Sequence, residues 1–378
     1  MRVPLQKFLD LSTQANKLNI VRFAPRNGEG FYDTVKKNIE KYFAEHNISP
    51  YSNTKMKLKT VAMIALFFVP YIFIVSGLAS FSMLFFFSLW FMMGLGMTGI
   101  GCSVMHDSNH GAYSTNKLTN KLLGGIVNIV GGYDVTWRIQ HNILHHTYTN
   151  IDGLDEDIDA GFLLRFSPHS KRYKLHRFQH IYAWFLYCLL TVQWVTYKDY
   201  RLLFHYDKLG LLRKEKTTLG RELVKLSLYK VLYFGYILVL PIMYSGFAWE
   251  TVVAGFFILH AVAGFALSTI FQLAHVMEEA EYPRPSDERK MENNWAVHQV
   301  LNTVNFAPKS RVMSWFIGGL NRQIEHHLFP HICHIHYKKI APIVKAAAES
   351  HGIPYQEQRT FITALISHGK MLRSLGAS

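Results

Sequence analysis

Apolar residues along the chain gather into a few long, uncharged runs, separated by stretches rich in basic residues and histidine. The first run, 61–79 (VAMIALFFVPYIFIVSGLA), is long enough to cross a bilayer core as a helix, which takes about 20 apolar residues. Pro70 inside it predicts a kink. A second, 82–101, follows after a turn too short to hold a domain, and 231–245 and 251–273 form another such pair around 246–250. Neither connecting turn contains Lys or Arg, whereas the N-terminal segment, the stretch 102–230 and everything after His275 are rich in both. By the positive-inside rule those three regions face the cytoplasm and the two turns face outward. The expected fold is therefore all-α and integral to the membrane: four transmembrane helices in two hairpins, under a cytoplasmic helical cap.

One apolar run, 181–195 (IYAWFLYCLLTVQWV), is too short to span, is interrupted by Gln193, and is crowded by His180, Lys198 and Asp199. It predicts an interfacial helix in the headgroup plane. The glycine-flanked run 126–130 predicts another shallow membrane contact. No linker-like tract or repeat divides the chain. The expected organisation is a basic cytoplasmic segment 1–60, a membrane domain 61–345 and a cytoplasmic tail 346–378. Both termini are then cytoplasmic.

Composition sharpens this picture. The 378 residues are 49% hydrophobic and carry a net charge of +14. The basic residues flank apolar runs instead of gathering on a soluble module with interleaved aromatics, so the charge points to a membrane surface and not to nucleic acid. The three cysteines have no paired spacing, which argues against a disulfide framework or a thiolate metal site. Residues 1–59 are polar and basic, without the early apolar core of a signal peptide. The twenty histidines are the outlier.

Many of them fall in patterns. HDSNH places His106 and His110 at i and i+4, one turn apart on one helix face. HNILHH supplies His141, His145 and His146, preceded by Trp137. On an α-helix His141 and His145 share a face and His146 lies roughly 100° round, so the three can serve two neighbouring metals. FQLAH ends the fourth span on His275, and QIEHH holds Gln323, His326 and His327. A lone buried histidine is ordinarily a satisfied core residue. These four places, however, all lie at or just beyond the cytoplasmic ends of spans, where they can converge. Eight imidazoles with no thiolate exceed the four ligands of a structural zinc and the three of a catalytic one. They suit two metals with positions left open. Imidazole accepts iron, copper or zinc, and a pair of redox irons can activate dioxygen against an unactivated carbon. Zinc is the expected substitute in purified protein.

HDSNH, HNILHH and QIEHH, with WRIQHNILHHTYTN and NRQIEHHLFP around them, resemble the membrane fatty-acid desaturases over roughly residues 57–345. The Gln opening the last box is similar to the front-end and linoleoyl-type branch. The resemblance implies a di-iron centre on His106, His110, His141, His145, His146, His275, His326 and His327. It also implies a cis double bond introduced into a long acyl chain with O2 and two electrons. The acyl carrier would be coenzyme A, a carrier protein or a membrane lipid. Many front-end members carry a fused haem domain with an HPGG signature. None occurs here, so the electrons are expected from a separate donor such as a ferredoxin or a haem carrier. Gln323 replaces a ligand found elsewhere in the family and is expected to orient a metal-bound water or brace a ligand. Asp107 and Trp137 are expected to support the ligands from outside. The nearest rival is a related di-iron lipid or carotenoid hydroxylase; a zinc-dependent membrane hydrolase or receptor is more remote.

Other signals are weaker. The acidic stretch 151–159 (IDGLDEDID) lacks EF-hand spacing and is expected to supply carboxylates to imidazole N–H groups. His331, His334 and His336 are expected to be surface or structural residues, and His260, inside a span, to have a hydrogen-bond partner. His298 can be read either way, and no substrate-binding residue is legible.

Overall fold

A computed structural model describes residues 20–25 and 30–377. Four helices are long and apolar enough to cross a membrane: Thr54–Val75, Met83–Asn109, Leu219–Tyr244 and Trp249–His275. Each of the four expected runs falls largely within one of these helices, but the ends differ; residues 76–79 of the first run, for example, lie in the turn after Val75. The first begins at Thr54 and not at 61, because Asn53 caps it by accepting from Met56 N (3.2 Å), and Lys55, Lys57 and Lys59 are helical. Charge marks where a helix leaves the apolar layer, not where its hydrogen bonding stops. For the same reason the second runs on to Asn109, carrying His106, and the third starts twelve residues before 231.

The second span packs against both the first and the fourth because its glycines admit their backbones. A Cβ on Gly96 would sit 2.6 Å from Phe67 N, and one on Gly94 would sit 2.7 Å from Leu259 O. Around this seam lies the largest apolar core, with Phe67, Trp90, Met93 and Leu259 buried. Ordered packing of small residues is what holds spans together, since lipid tails already solvate apolar side chains.

Residues 181–195 are helical but broken. Gln179–Cys188, Leu190–Gln193, Trp194–Lys198 and Asp199–Lys208 follow one another. This series packs along the fourth span, where Thr191 Oγ1 donates to His260 O (2.9 Å). His260 has the partners expected of an intramembrane histidine: Tyr233 Oη at 2.8 Å and Thr191 Oγ1 at 3.0 Å. In the 126–130 run, Val127 and Val130 are buried and Ile129 is exposed.

The described part of the 1–60 segment and the 346–377 segment both pack onto the body. Helix Phe31–Glu45 joins Trp295–Leu301, Gln323–Leu328 and Tyr337–Ser350 in one apolar cluster, which includes Val35, Val300, Ile324 and Val344. Helix Phe361–Ala377 lies against Gln179–Cys188. The single sheet among the described residues is a short parallel pairing of Asn305–Phe306 with Glu357–Gln358.

Candidate metal centre

All eight expected histidines meet in the interior. His106, His110, His141 and His326 form one group whose ligating nitrogens lie within 4.8 Å of one another, and His145, His275 and His327 form a second. His146 stands between them. Its Nε2 is 3.2 Å from His141 Nε2 and 3.0 Å from His326 Nε2, and its ring stacks on His327 at 4.4 Å.

The backbone sets this division. His106 follows a π-helical turn, Ile100–Met105, and His141 and His145 lie within another, Arg138–His145. Such turns bond i to i+5 and often occur at functional sites. The wider turn brings i and i+5 into line, so His141 meets His146. His145 is directed to the other group, although its ring still stacks on His141 at 5.1 Å. The expected shared face of His141 and His145 is kept, and with Asp157 their ligating atoms form a further close group.

Five ring nitrogens, Nε2 of His110, His145, His275 and His327 and Nδ1 of His146, are buried and have no hydrogen-bond partner among the described residues. Leaving such groups unpaired costs on the order of 1–3 kcal/mol each. A nest of imidazoles directed at one another fits cations held at its centre. Burial, reinforced by the neighbouring rings, lowers the pKa of His110, His146, His326 and His327, and burial also lowers that of His141. These rings are therefore in the neutral form that binds metal. His145 differs. Against its burial, Asp155 and Asp157 raise it to about 9.

The outer nitrogens are held from several elements. Asp155 accepts from His145 Nδ1 (3.0 Å) and Asp157 from His141 Nδ1 (3.2 Å), which is the role expected of the acidic stretch. His145 and His141 hold Asp157 well below the usual carboxylate range despite its burial. Gln299 Oε1 accepts from His327 Nδ1 and from Thr149 Oγ1 (both 2.8 Å). Tyr337 Oη lies 3.1 Å from His326 Nδ1, and Asn302 O accepts from His275 Nδ1 at 3.4 Å. Gln299, Asn302 and Tyr337 carry no spacing signal, and sequence reasoning missed them. Such outer hydrogen bonds fix each ring's tautomer and direction.

The two supports expected outside the ligands, Asp107 and Trp137, are placed differently from each other. Asp107 meets no ring of the two groups. It is one residue beyond His106 and so turned about 100° round the helix, where its Oδ2 accepts from His334 Nδ1 (2.7 Å) and His334 N (3.2 Å). Lys59 Nζ lies 2.9 Å from His334 Nε2, so these three buried residues tie the first two spans to the loop after the last box. His334 and His336 are structural as expected, His336 Nε2 being 3.2 Å from Tyr51 O, and His331 is exposed. Trp137 packs on the rings, with its centroid 4.6 Å from that of His141, 5.6 Å from His106 and 5.8 Å from His110. Gln323 opens helix Gln323–Leu328, is buried, and has no partner for its Nε2 among the described residues. His298 joins neither group. Its Nε2 lies 2.9 Å from Thr149 O and from Asn302 Nδ2.

Beside the rings lies an apolar cavity lined by Met97, Met105, Trp137, Trp194, Leu267 and Phe271 among others. Trp137 and Phe271 both flank His141, the latter at 6.1 Å, so the cavity wall and the ring nest share side chains.

Comparison with known proteins gives a consistent result. The fatty acid desaturase family model matches residues 80–359. The sn-1 linoleoyl-lipid 6-desaturase of Synechocystis sp. is 34% identical over 92% of this chain and 96% of its own length. The protein of the same name from Arthrospira platensis is 35% identical over 92% of each. The acyl-lipid (8-3)-desaturase of Physcomitrium patens is 34% identical over 94% of this chain and 74% of its own.

Proposed function

The chain belongs to the fatty acid desaturase family, and from that premise we propose that its eight histidines hold two iron ions that desaturate an acyl chain of a membrane lipid near the carboxyl end. When bound, the irons supply reductive activation of dioxygen. The balance is one O2, two electrons and two protons, with two hydrogens leaving adjacent methylenes, to give a cis double bond and two waters. A separate one-electron carrier, a ferredoxin or a haem protein, delivers the electrons.

The observation that carries this reading is the adjacency of two things: a nest of buried, partly unpaired ring nitrogens and an apolar cavity that shares Trp137 and Phe271 with it. Four ligands belong to one metal (His106, His110, His141 and His326) and three to the other (His145, His275 and His327), with His146 between them. The cavity excludes water and holds the chain. Trp137 packs on His141 and lines the cavity that would hold the acyl methylenes. Gln323 keeps an amide N–H available for a water or oxygen atom at the centre. The lipid-linked substrate and the carboxyl-side position are drawn from the names of the relatives in Synechocystis and Arthrospira and from the Gln that opens the last box.

The four spans pair into two hairpins whose outer turns, 76–82 and 245–248, carry no Lys or Arg. This supports a cytoplasmic placing of both termini and of the metal centre, with the 181–195 region at the interface and 61–345 as the membrane domain between the segments 1–60 and 346–378. The test is lipid analysis of a host making linoleoyl lipids and expressing this chain. A fatty acid lacking two hydrogens, its new double bond between the carboxyl group and the existing ones, supports the reading. A product that has gained one oxygen, or a bond on the methyl side, refutes it.

A further inference from the structure

Two segments far apart in sequence share an unusual charge pattern. No Asp or Glu occurs between Asp159 and Asp199 or after Glu357, yet the first stretch carries Arg165, Lys171, Arg172, Lys174, Arg177 and Lys198, and the second Arg359, Lys370 and Arg373. The fold packs them together in antiparallel register. Arg172 Nε donates to Gly376 O, Gln179 Nε2 donates to Leu372 O, and Tyr187 Oη meets His368 Nε2, each at 2.8 Å. Residues 172–187 therefore run against 376–368.

Each helix buries one face in this contact and leaves a stripe uncovered. On Gln179–Cys188 the buried positions are Gln179, Ala183 and Tyr187, and the exposed ones, with the residue just before the helix, are Phe178, Ile181 and Phe185. On Phe361–Ala377 the exposed stripe is Ile362, Ile366, Lys370 and Arg373, at helical spacing. In the observed register both stripes have the same polarity. The cations at 171–177 and 370–373 occupy one end, and the apolar residues at 181–185 and 362–366 occupy the other. The apolar end continues onto the fourth span, where Trp184 lies 6.4 Å from the exposed Phe265. Among the described residues, the cations at 171–177 and 370–373 have one carboxylate partner, Glu278, 3.9 Å from Lys370.

We propose that these two segments form one membrane-surface unit that inserts its apolar end at the acyl boundary and binds anionic lipid headgroups with its cationic end. The apolar stripe alone would suit any bilayer. The acid-free cluster of cations beside it selects the anionic one, because each Lys or Arg near an anionic surface adds favourable electrostatic energy that salt screens. This inference rests on the membrane-integral character of the chain and not on its substrate or metal.

The test is amide hydrogen exchange on the full chain in nanodiscs of phosphatidylcholine, with and without phosphatidylglycerol. Exchange in 162–188 and 361–377 should slow by about tenfold when the anionic lipid is present and recover at high salt. In Lys171→Gln/Lys174→Gln/Arg177→Gln/Arg373→Gln, exchange should match the wild type in phosphatidylcholine and lose the response to phosphatidylglycerol. In Ile366→Ser, exchange should be faster in both lipids. Equal protection in the two lipids, a response that high salt leaves intact, or the same protection from inorganic phosphate alone would overturn the proposal. Retention of the response by the quadruple variant, or no change in Ile366→Ser, would also overturn it. Should the quadruple variant fail to fold, the salt titration of the wild type decides.

Discussion

His145 shows how single residues tune the centre. Asp155 accepts from its Nδ1 and is itself buried, also receiving the Asn150 amide (2.8 Å). Asp155→Asn preserves the shape but removes the charge that makes this ring basic, and it should lower turnover by about 10–100-fold with weakened metal retention. Normal turnover with full metal content would contradict that role. At Gln323 the buried amide nitrogen has no partner among the described residues, and the proposed role is to orient a water at the centre. Gln323→Ala should cut turnover while leaving both metals bound, and Gln323→His should be impaired as well. A fully active Gln323→His that binds metal more tightly would make the amide incidental. The ligand candidates were legible because histidine recurs at short spacings. Gln299, Asn302 and Tyr337 were not, because a hydrogen bond across 28 residues, as between Gln299 and His327, leaves no local pattern. Asp107 was misplaced because adjacency to His106 in sequence sets its side chain on another face of the helix.

At the level of elements, the spans were readable from apolar length, and their ends were not, since capping by Asn53 and helical continuation through Lys55–Lys59 depend on hydrogen bonding and not on hydropathy. The π-turns were invisible to an α-helical reading; the turn over Arg138–His145 brings His146 alongside His141, whose ring still stacks on His145. The broken series from Gln179 to Lys208 determines the topology. It carries the chain from the second box to the third span, so tags near Lys171 and Lys214 should both report the cytoplasm. Tags on opposite sides would mean that the segment crosses the bilayer. The tie from Lys59 through His334 to Asp107 joins elements that sequence could not relate. Lys59→Met leaves the buried Asp107–His334 pair without its cation, and it should lower the thermal unfolding temperature measurably, by the equivalent of about 1–3 kcal/mol. An unchanged transition would mean that the tie is energetically silent.

For the whole molecule, buried histidines outside the centre link folding to pH. Burial lowers His298 and His368 to about 4, below the ordinary 6.5. The unfolded chain therefore binds more protons than the folded one between those values. The stability from each neutral ring is complete above pH 6.5 and is lost as pH falls through 4. His368→Gln removes one such group, so the gap in unfolding temperature between wild type and variant should narrow from pH 6.5 to 4; a constant gap would contradict the linkage.

The centre itself unites all three scales, because rings from three separated stretches of chain must converge for each metal to bind. The most direct measurement is the iron content of the purified protein and of His275→Ala, each reconstituted anaerobically with ferrous iron. The account predicts about two irons per chain in the wild type. In the variant it predicts about one, since removing His275 leaves His145 and His327 too few to hold the second metal while His106, His110, His141 and His326 keep the first. One iron in the wild type, or two retained in His275→Ala, would contradict it.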